Sequence, residues 1–120
     1  MKISFKRIFV FISWLFCLVL LVVVSVRPSL PMESLMFFPN SDKLYHGLYY
    51  GIMTFGSKGF LKSGRQIATL GIFLVVLGIL LEFVQGTIPG RTFSFADMLA
   101  NTMGVAAGLL VLYKVKVHDR

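Results

Sequence analysis

The chain has 120 residues, 57% of them hydrophobic and 14% charged, with a mean hydropathy of +0.84. A water-soluble domain of this size needs a far more polar surface, so the composition excludes a soluble enzyme and points to one domain, residues 1–120, whose solvent is lipid. The formal charge of +7 comes from 12 Lys and Arg against 5 Asp and Glu, but these bases stand singly between apolar runs and form no arm or stripe, which argues against nucleic acid as a partner.

The first apolar run, Ile8 to Val26, contains no charge, proline or glycine. At about 1.5 Å per residue it covers roughly 28 Å, enough to cross the hydrocarbon. Lys2, Lys6 and Arg7 precede it, as in a signal peptide, yet the run is long and no small-x-small cleavage site precedes Arg27 and Pro28, so it reads as a retained anchor. The lone cysteine, Cys17, lies inside this run and has no intrachain partner. Pro28, Pro31 and Pro39 then impose a loop, in which Leu35, Met36, Phe37 and Phe38 are expected on the bilayer interface.

Three more spans are expected, over residues 43–60, 67–88 and 95–113. The first of these is interrupted by Gly47, Gly51, Gly56, His46, Thr54 and Ser57; the next is stopped by Pro89 and Gly90; the last begins where Ser94 is followed three residues later by Asp97, the pattern of a capping box. The basic residues test the count, because Lys and Arg beside spans stay in the cytoplasm. Four spans with both termini inside place Lys2, Lys6, Arg7, Lys58, Lys62, Arg65, Lys114, Lys116 and Arg120 in the cytoplasm and leave only Arg27, Lys43 and Arg91 outside. The expected fold is therefore an all-α membrane protein, a four-transmembrane-helix bundle with both termini cytoplasmic. Ala100, Gly104 and Gly108 on the last span, and Gly47 and Gly51 on the second, form small-residue stripes at four-residue spacing. Such stripes let helices approach closely and are expected to meet each other or those of a second copy.

In this topology the unusual polar residues gather at the extracytoplasmic end: Asp42, Lys43 and His46; Glu82 and Gln85; Arg91; Asp97 and Asn101. Spacings of three or four put each helix's pair on one face. Glu82, expected about 9 Å below a helix end near Ile88, is the costliest of them: an acidic side chain in a span must be protonated, paired or facing water. Lys43, His46 and Arg91 are its candidate partners. Each residue also has a plainer role: Asp97 as a cap, Asp42 as a first-turn acid, His46, Gln85 and Asn101 as interhelical hydrogen-bond glue, Lys43 and Arg91 as interface anchors. Those roles give no reason for all eight to avoid the cytoplasmic half.

Asp42-Lys43-Leu44-Tyr45-His46, then Glu82-Phe83-Val84-Gln85, then Pro89-Gly90-Arg91 and Ser94-Phe95-Ala96-Asp97-Met98-Leu99-Ala100-Asn101 together resemble the VanZ-like family of small bacterial membrane proteins, over roughly residues 41–112. The resemblance implies a multi-pass protein of the bacterial inner membrane; the family's namesake is associated with low-level resistance to teicoplanin. It implies no established reaction and no cofactor. The motif positions it carries over are Asp42, Lys43, His46, Glu82, Gln85, Arg91, Asp97 and Asn101.

The expected function is binding or modification of an amphiphile, such as a lipid-linked cell-wall precursor or a lipid-bearing glycopeptide, with Arg91 and Lys43 on a phosphate or carboxylate and the carboxylates, Gln85 and Asn101 on sugar or amide groups. The alternative is a lipid-headgroup hydrolase or transferase using a histidine–carboxylate pair, its candidates His46, Glu82 and Asp97. Those three residues are too scattered in sequence to argue for a metal site. A third class, a structural subunit or ion-conducting oligomer associating through the glycine faces, conflicts with the nearly wholly apolar stretch Ile67 to Ile79.

Overall fold

The computed structural model of the protein describes residues 3–27 and 41–118. They form four helices, α1 (Phe5–Val26), α2 (Ser41–Gly56), α3 (Gly64–Gln85) and α4 (Phe95–His118), with a single 3₁₀ turn at Ser57–Gly59. No strand occurs among the described residues. The interfacial role expected for Leu35 to Phe38 falls outside them.

Local chemistry sets the helix ends. Arg27 is extended, with φ −72° and ψ 145°, because the ring of the following Pro28 disfavours helical geometry in the residue before it. α2 stops at Gly56, short of the expected Phe60: the Ser57 hydroxyl donates to the Thr54 carbonyl at 2.6 Å, and the Ser57 carbonyl accepts from Phe60 and Leu61. α3 starts three residues earlier than expected, at a complete capping box in which the Gln66 N–H donates to the Ser63 hydroxyl and the Gln66 side chain accepts from the Ser63 N–H. It also ends sooner, at Gln85, where the Gly86 N–H closes onto the Glu82 carbonyl. The chain then reverses through Gly90, whose φ of 79° suits a residue without a Cβ. α4 continues past the expected Tyr113 to His118.

Successive helices run antiparallel, so α2 and α4 are parallel, and these two make the closest contact in the molecule. The small residues are the reason. A Cβ on Gly104 would overlap the Gly47 carbonyl oxygen, and one on Gly108 would come within 2.9 Å of the Gly51 carbonyl. The two glycine faces thus meet within one chain, backbone against backbone, as packing without a hydrophobic driving force requires. α3 covers one side of this pair, and Trp14, Tyr50, Met53, Leu74 and Val105 form the core. α1 lies against the outside, with only Trp14 and Ser25 buried.

α1, α3 and residues 95–115 of α4 are each long and apolar enough to cross a membrane. α2, with 16 residues, rises about 24 Å. Large exposed side chains on all four helices are predominantly apolar, the surface expected of a bundle solvated by lipid.

Candidate functional site

The beginnings of α2 and α4 and the end of α3 meet at one end of the bundle. The decisive contact there is made by Glu82. Its Oε1 accepts the Ser94 N–H at 2.8 Å, and Glu82 is only 2% exposed. Ser94 in turn caps α4, its hydroxyl accepting the Asp97 N–H at 3.2 Å. In a capping box confined to one helix, Asp97 would bond back to the Ser94 N–H. Here the carboxyl group of α3 takes that place, at the positive end of the α4 dipole, where its acceptor oxygen is satisfied and part of the cost of burying a polar group is offset. Half of the box expected at Ser94 and Asp97 is therefore present, and the other half comes from a different helix. Because α3 ends at Gln85, Glu82 lies in its last turn and not deep beneath the end.

Released from capping, Asp97 faces α2. Lys43 Nζ is 3.6 Å from Asp97 Oδ1 and 3.3 Å from Asp42 Oδ2, and His46 Nε2 is 3.9 Å from Asp97 Oδ2. The other ring nitrogen, His46 Nδ1, lies 3.1 Å from Asn101 Oδ1, within hydrogen-bond distance. Asp97 is 9% exposed and its Oδ1 accepts no hydrogen bond among the described residues. The result is a row of ionisable side chains, Asp42, Lys43, Asp97, His46, with Asn101 behind it. Glu82 lies within electrostatic range of Asp97, His46 and Arg91.

Seven of the eight residues selected from the sequence thus occupy this end in three adjoining helices, including Gln85, which is buried on α3. Arg91 turns elsewhere. Its Nε donates to the Arg27 carbonyl and its Nη2 to the Val24 carbonyl, each at 3.0 Å. The guanidinium therefore satisfies the free carbonyls at the end of α1, and the phosphate-gripping role expected of it has no support in this geometry. Glu82, for which Lys43, His46 and Arg91 were the candidate partners, meets a backbone N–H instead.

Sequence reasoning missed Tyr50, which is 2% exposed and one turn along α2 from His46. Its hydroxyl and the Asn101 Nδ2 would each lie 3.2 Å from a Cβ on Gly78, so the absence of a side chain on α3 makes room for both. The four-residue spacing from His46 was a usable signal for Tyr50; nothing in the sequence marks Gly78 as its counterpart. Among the described residues no group of three or more His, Cys, Asp and Glu side chains is arranged to hold a metal ion.

A half-buried row of acids, lysine and histidine, backed by the buried Asn101, is thus shared by the starts of two glycine-packed helices. The VanZ/LLP1 family profile matches residues 3–116. The chain belongs to the VanZ/LLP1 family. The match extends well beyond residues 41–112 and takes in α1, so the VanZ-type unit includes the first helix as well as the polar motifs. No curated protein and no solved structure matches the chain.

Proposed function

We propose that this VanZ/LLP1-family protein crosses the bacterial inner membrane four times, with both termini cytoplasmic, and binds the polar head of an amphiphilic envelope component at the extracytoplasmic end of the bundle. A lipid-linked cell-wall precursor or a lipid-bearing glycopeptide of the teicoplanin type belongs to that class. The observation that carries the reading is the convergence of Lys43, His46, Asp97 and Asn101 from the first turns of α2 and α4. Charged groups gathered inside a lipid-solvated bundle cost free energy that a purely structural role would avoid with apolar residues. The close pairing of α2 with α4 supports counting α2 as the fourth span despite its length.

Binding of a head group asks the cluster for donors and acceptors at a membrane surface, and it has both. The test is to purify the protein in mild detergent and identify retained amphiphiles by native mass spectrometry, beside the Asp97→Asn variant. A retained amphiphile, depleted about tenfold in the variant, is expected, as for loss of one charge-assisted hydrogen bond. A wild-type protein that retains none would overturn the reading. Cysteines at Ser63 and Thr92 test the orientation, the first expected to label from the cytoplasm and the second from outside.

The hydrolase or transferase reading rests on the approach of His46 Nε2 to Asp97 Oδ2. At 3.9 Å that approach exceeds hydrogen-bond reach, which ranks catalysis second. Turnover of a labelled polyprenyl phosphate, lost in His46→Ala, would reverse the order.

A further inference from the structure

One open groove follows the seam between α2 and α4 on the side away from α3. Its volume is about 770 Å³; Gly47, Gly51 and Gly104 line its floor, Leu48, Ile52 and Met103 are among its walls, and Lys43 is the charged residue in its lining. From Lys43 to Phe55, the groove's extremes on α2, the rise is about 18 Å. That length fits one leaflet, whose hydrocarbon is about 15 Å deep, and falls well short of the roughly 30 Å a second transmembrane helix would need. The groove therefore matches a single hydrocarbon chain whose head lies at Lys43.

The charges around Lys43 narrow the head. Asp42 and Asp97 flank its ammonium at 3.3 and 3.6 Å, two carboxylates to one cation, so the spot does not favour a purely anionic group. Both of those distances exceed the 2.7–2.9 Å of a fully formed charge-assisted bond. Asp97 Oδ1 is buried and, among the described residues, is faced by the Lys43 ammonium only at 3.6 Å, beyond hydrogen-bond distance. A head carrying an ammonium beside a phosphodiester offers a hydrogen-bond donor to Asp97 Oδ1 and an anionic oxygen to Lys43. Lys43, on its flexible stem, moves from Asp97 to the phosphate, and the ammonium N–H takes the Asp97 oxygen it leaves, with no change in net charge.

Resting on the amphiphile-binding reading above, we propose that the α2–α4 groove seats one chain of a phospholipid whose head bears a primary ammonium, with Asp97 and Lys43 reading the ammonium and the phosphate. The experiment is native mass spectrometry of the full chain with phosphatidylethanolamine, phosphatidylcholine and phosphatidylglycerol of identical acyl chains. It uses the wild type, Asp97→Asn, Ala107→Trp, which fills the groove from its exposed wall, and Leu110→Trp, an exposed α4 position outside the groove. Expected is a preference of about tenfold for the ethanolamine lipid over the other two, lost in Asp97→Asn. Binding should fall in Ala107→Trp and be unchanged in Leu110→Trp.

A preference for the glycerol head, or equal binding of all three heads, overturns the ammonium assignment. Equal loss in both tryptophan variants, or loss in neither, overturns the groove. Weakened self-association in Ala107→Trp with lipid binding intact would make the groove a contact between copies and also overturn it. Absence of every lipid adduct from wild type would defeat the underlying amphiphile reading, a result distinct from all of these.

Discussion

α1 and the α2–α4 pair hold to the rest of the molecule in opposite ways. Between α2 and α4 the attraction comes from what is missing: without Cβ atoms at Gly47, Gly51, Gly104 and Gly108, the backbones touch. α1 is held by polar pegs seated on carbonyl oxygens. Arg7 donates to Phe60, Trp14 to Met53, Tyr49 to Cys17, and Arg91 to Val24 and Arg27. Only 11% of the most apolar stretch of α1 is buried, against 33% for that of α4. In lipid, where apolar contact between helices gains little over contact with acyl chains, close shape fit and hydrogen bonds are the two remaining ways to join helices. This molecule uses one for the seam that carries the polar cluster and the other for its outer helix.

The largest effect should come from disturbing the seam. Gly104→Val places a branched side chain against the Gly47 carbonyl, which belongs to backbone and cannot rotate away. Overpacking of this kind costs about 3 kcal/mol, and the loss should appear as a lowered melting temperature in detergent together with loss of amphiphile binding. Ala107→Leu, on the exposed face of the same helix, should melt near wild type. Equal stability of the two would mean that the glycine contact does not hold the seam.

Next comes the link between the seam and α3. Glu82→Leu leaves the part-buried Ser94 N–H without its acceptor, a cost of about 2 kcal/mol. Glu82→Gln keeps an acceptor at the same reach and should recover most of it. If Gln were as damaging as Leu in thermal melts, the negative charge at the α4 N-terminus, and not the hydrogen bond, would be what matters.

These contacts also show what the sequence could reveal. The helix count, the glycine stripes and the clustering of polar residues at one end all follow from periodicity and hydropathy, properties of each helix by itself. Partner choice does not. Glu82 and Arg91 both carry polar groups that must be satisfied, and the sequence offers each the other as a partner. The fold gives each a backbone group instead: an unpaired N–H at the start of α4 for Glu82, unpaired carbonyls at the end of α1 for Arg91. Such orphan groups exist at every helix end, but which end comes near which side chain depends on how the helices cross. The polar interruptions expected at the far end of α2 are likewise satisfied by backbone. Thr54 and Ser57 are fully buried, and their hydroxyls donate to the Tyr50 and Thr54 carbonyls of α2 itself, so these bonds stay within one helix.

On the α1 side the effects should be smaller. Arg91→Ala removes two charge-assisted bonds to the α1 terminus, partly replaceable by water because the site is exposed, so about 1 kcal/mol is expected. Hydrogen exchange at Val24 to Val26 should rise. Binding at Lys43 and Asp97 should be unaffected, since Arg91 does not contact them; a tenfold loss of binding would instead restore Arg91 to the ligand site.

Smallest of all is Tyr49→Phe, which deletes the 2.7 Å bond to the Cys17 carbonyl while that oxygen keeps its place in the α1 ladder. About 0.5 kcal/mol is expected. The only tryptophan, Trp14, sits at the α1–α2 contact with its ring edge-on to Phe60 at 5.3 Å, so its emission reports α1 docking directly. Combining Tyr49→Phe with Arg91→Ala then tests how the pegs work. Their acceptors, Cys17 and Val24, are about 10 Å apart along the helix, a separation at which independent contacts add. Additive losses in Trp14-detected melts would mean that each peg holds its own turn of α1. A double variant that loses clearly more than the sum would mean that α1 docks and leaves as one rigid piece, and the contrast with the glycine seam would then be one of strength alone, with both joints equally cooperative.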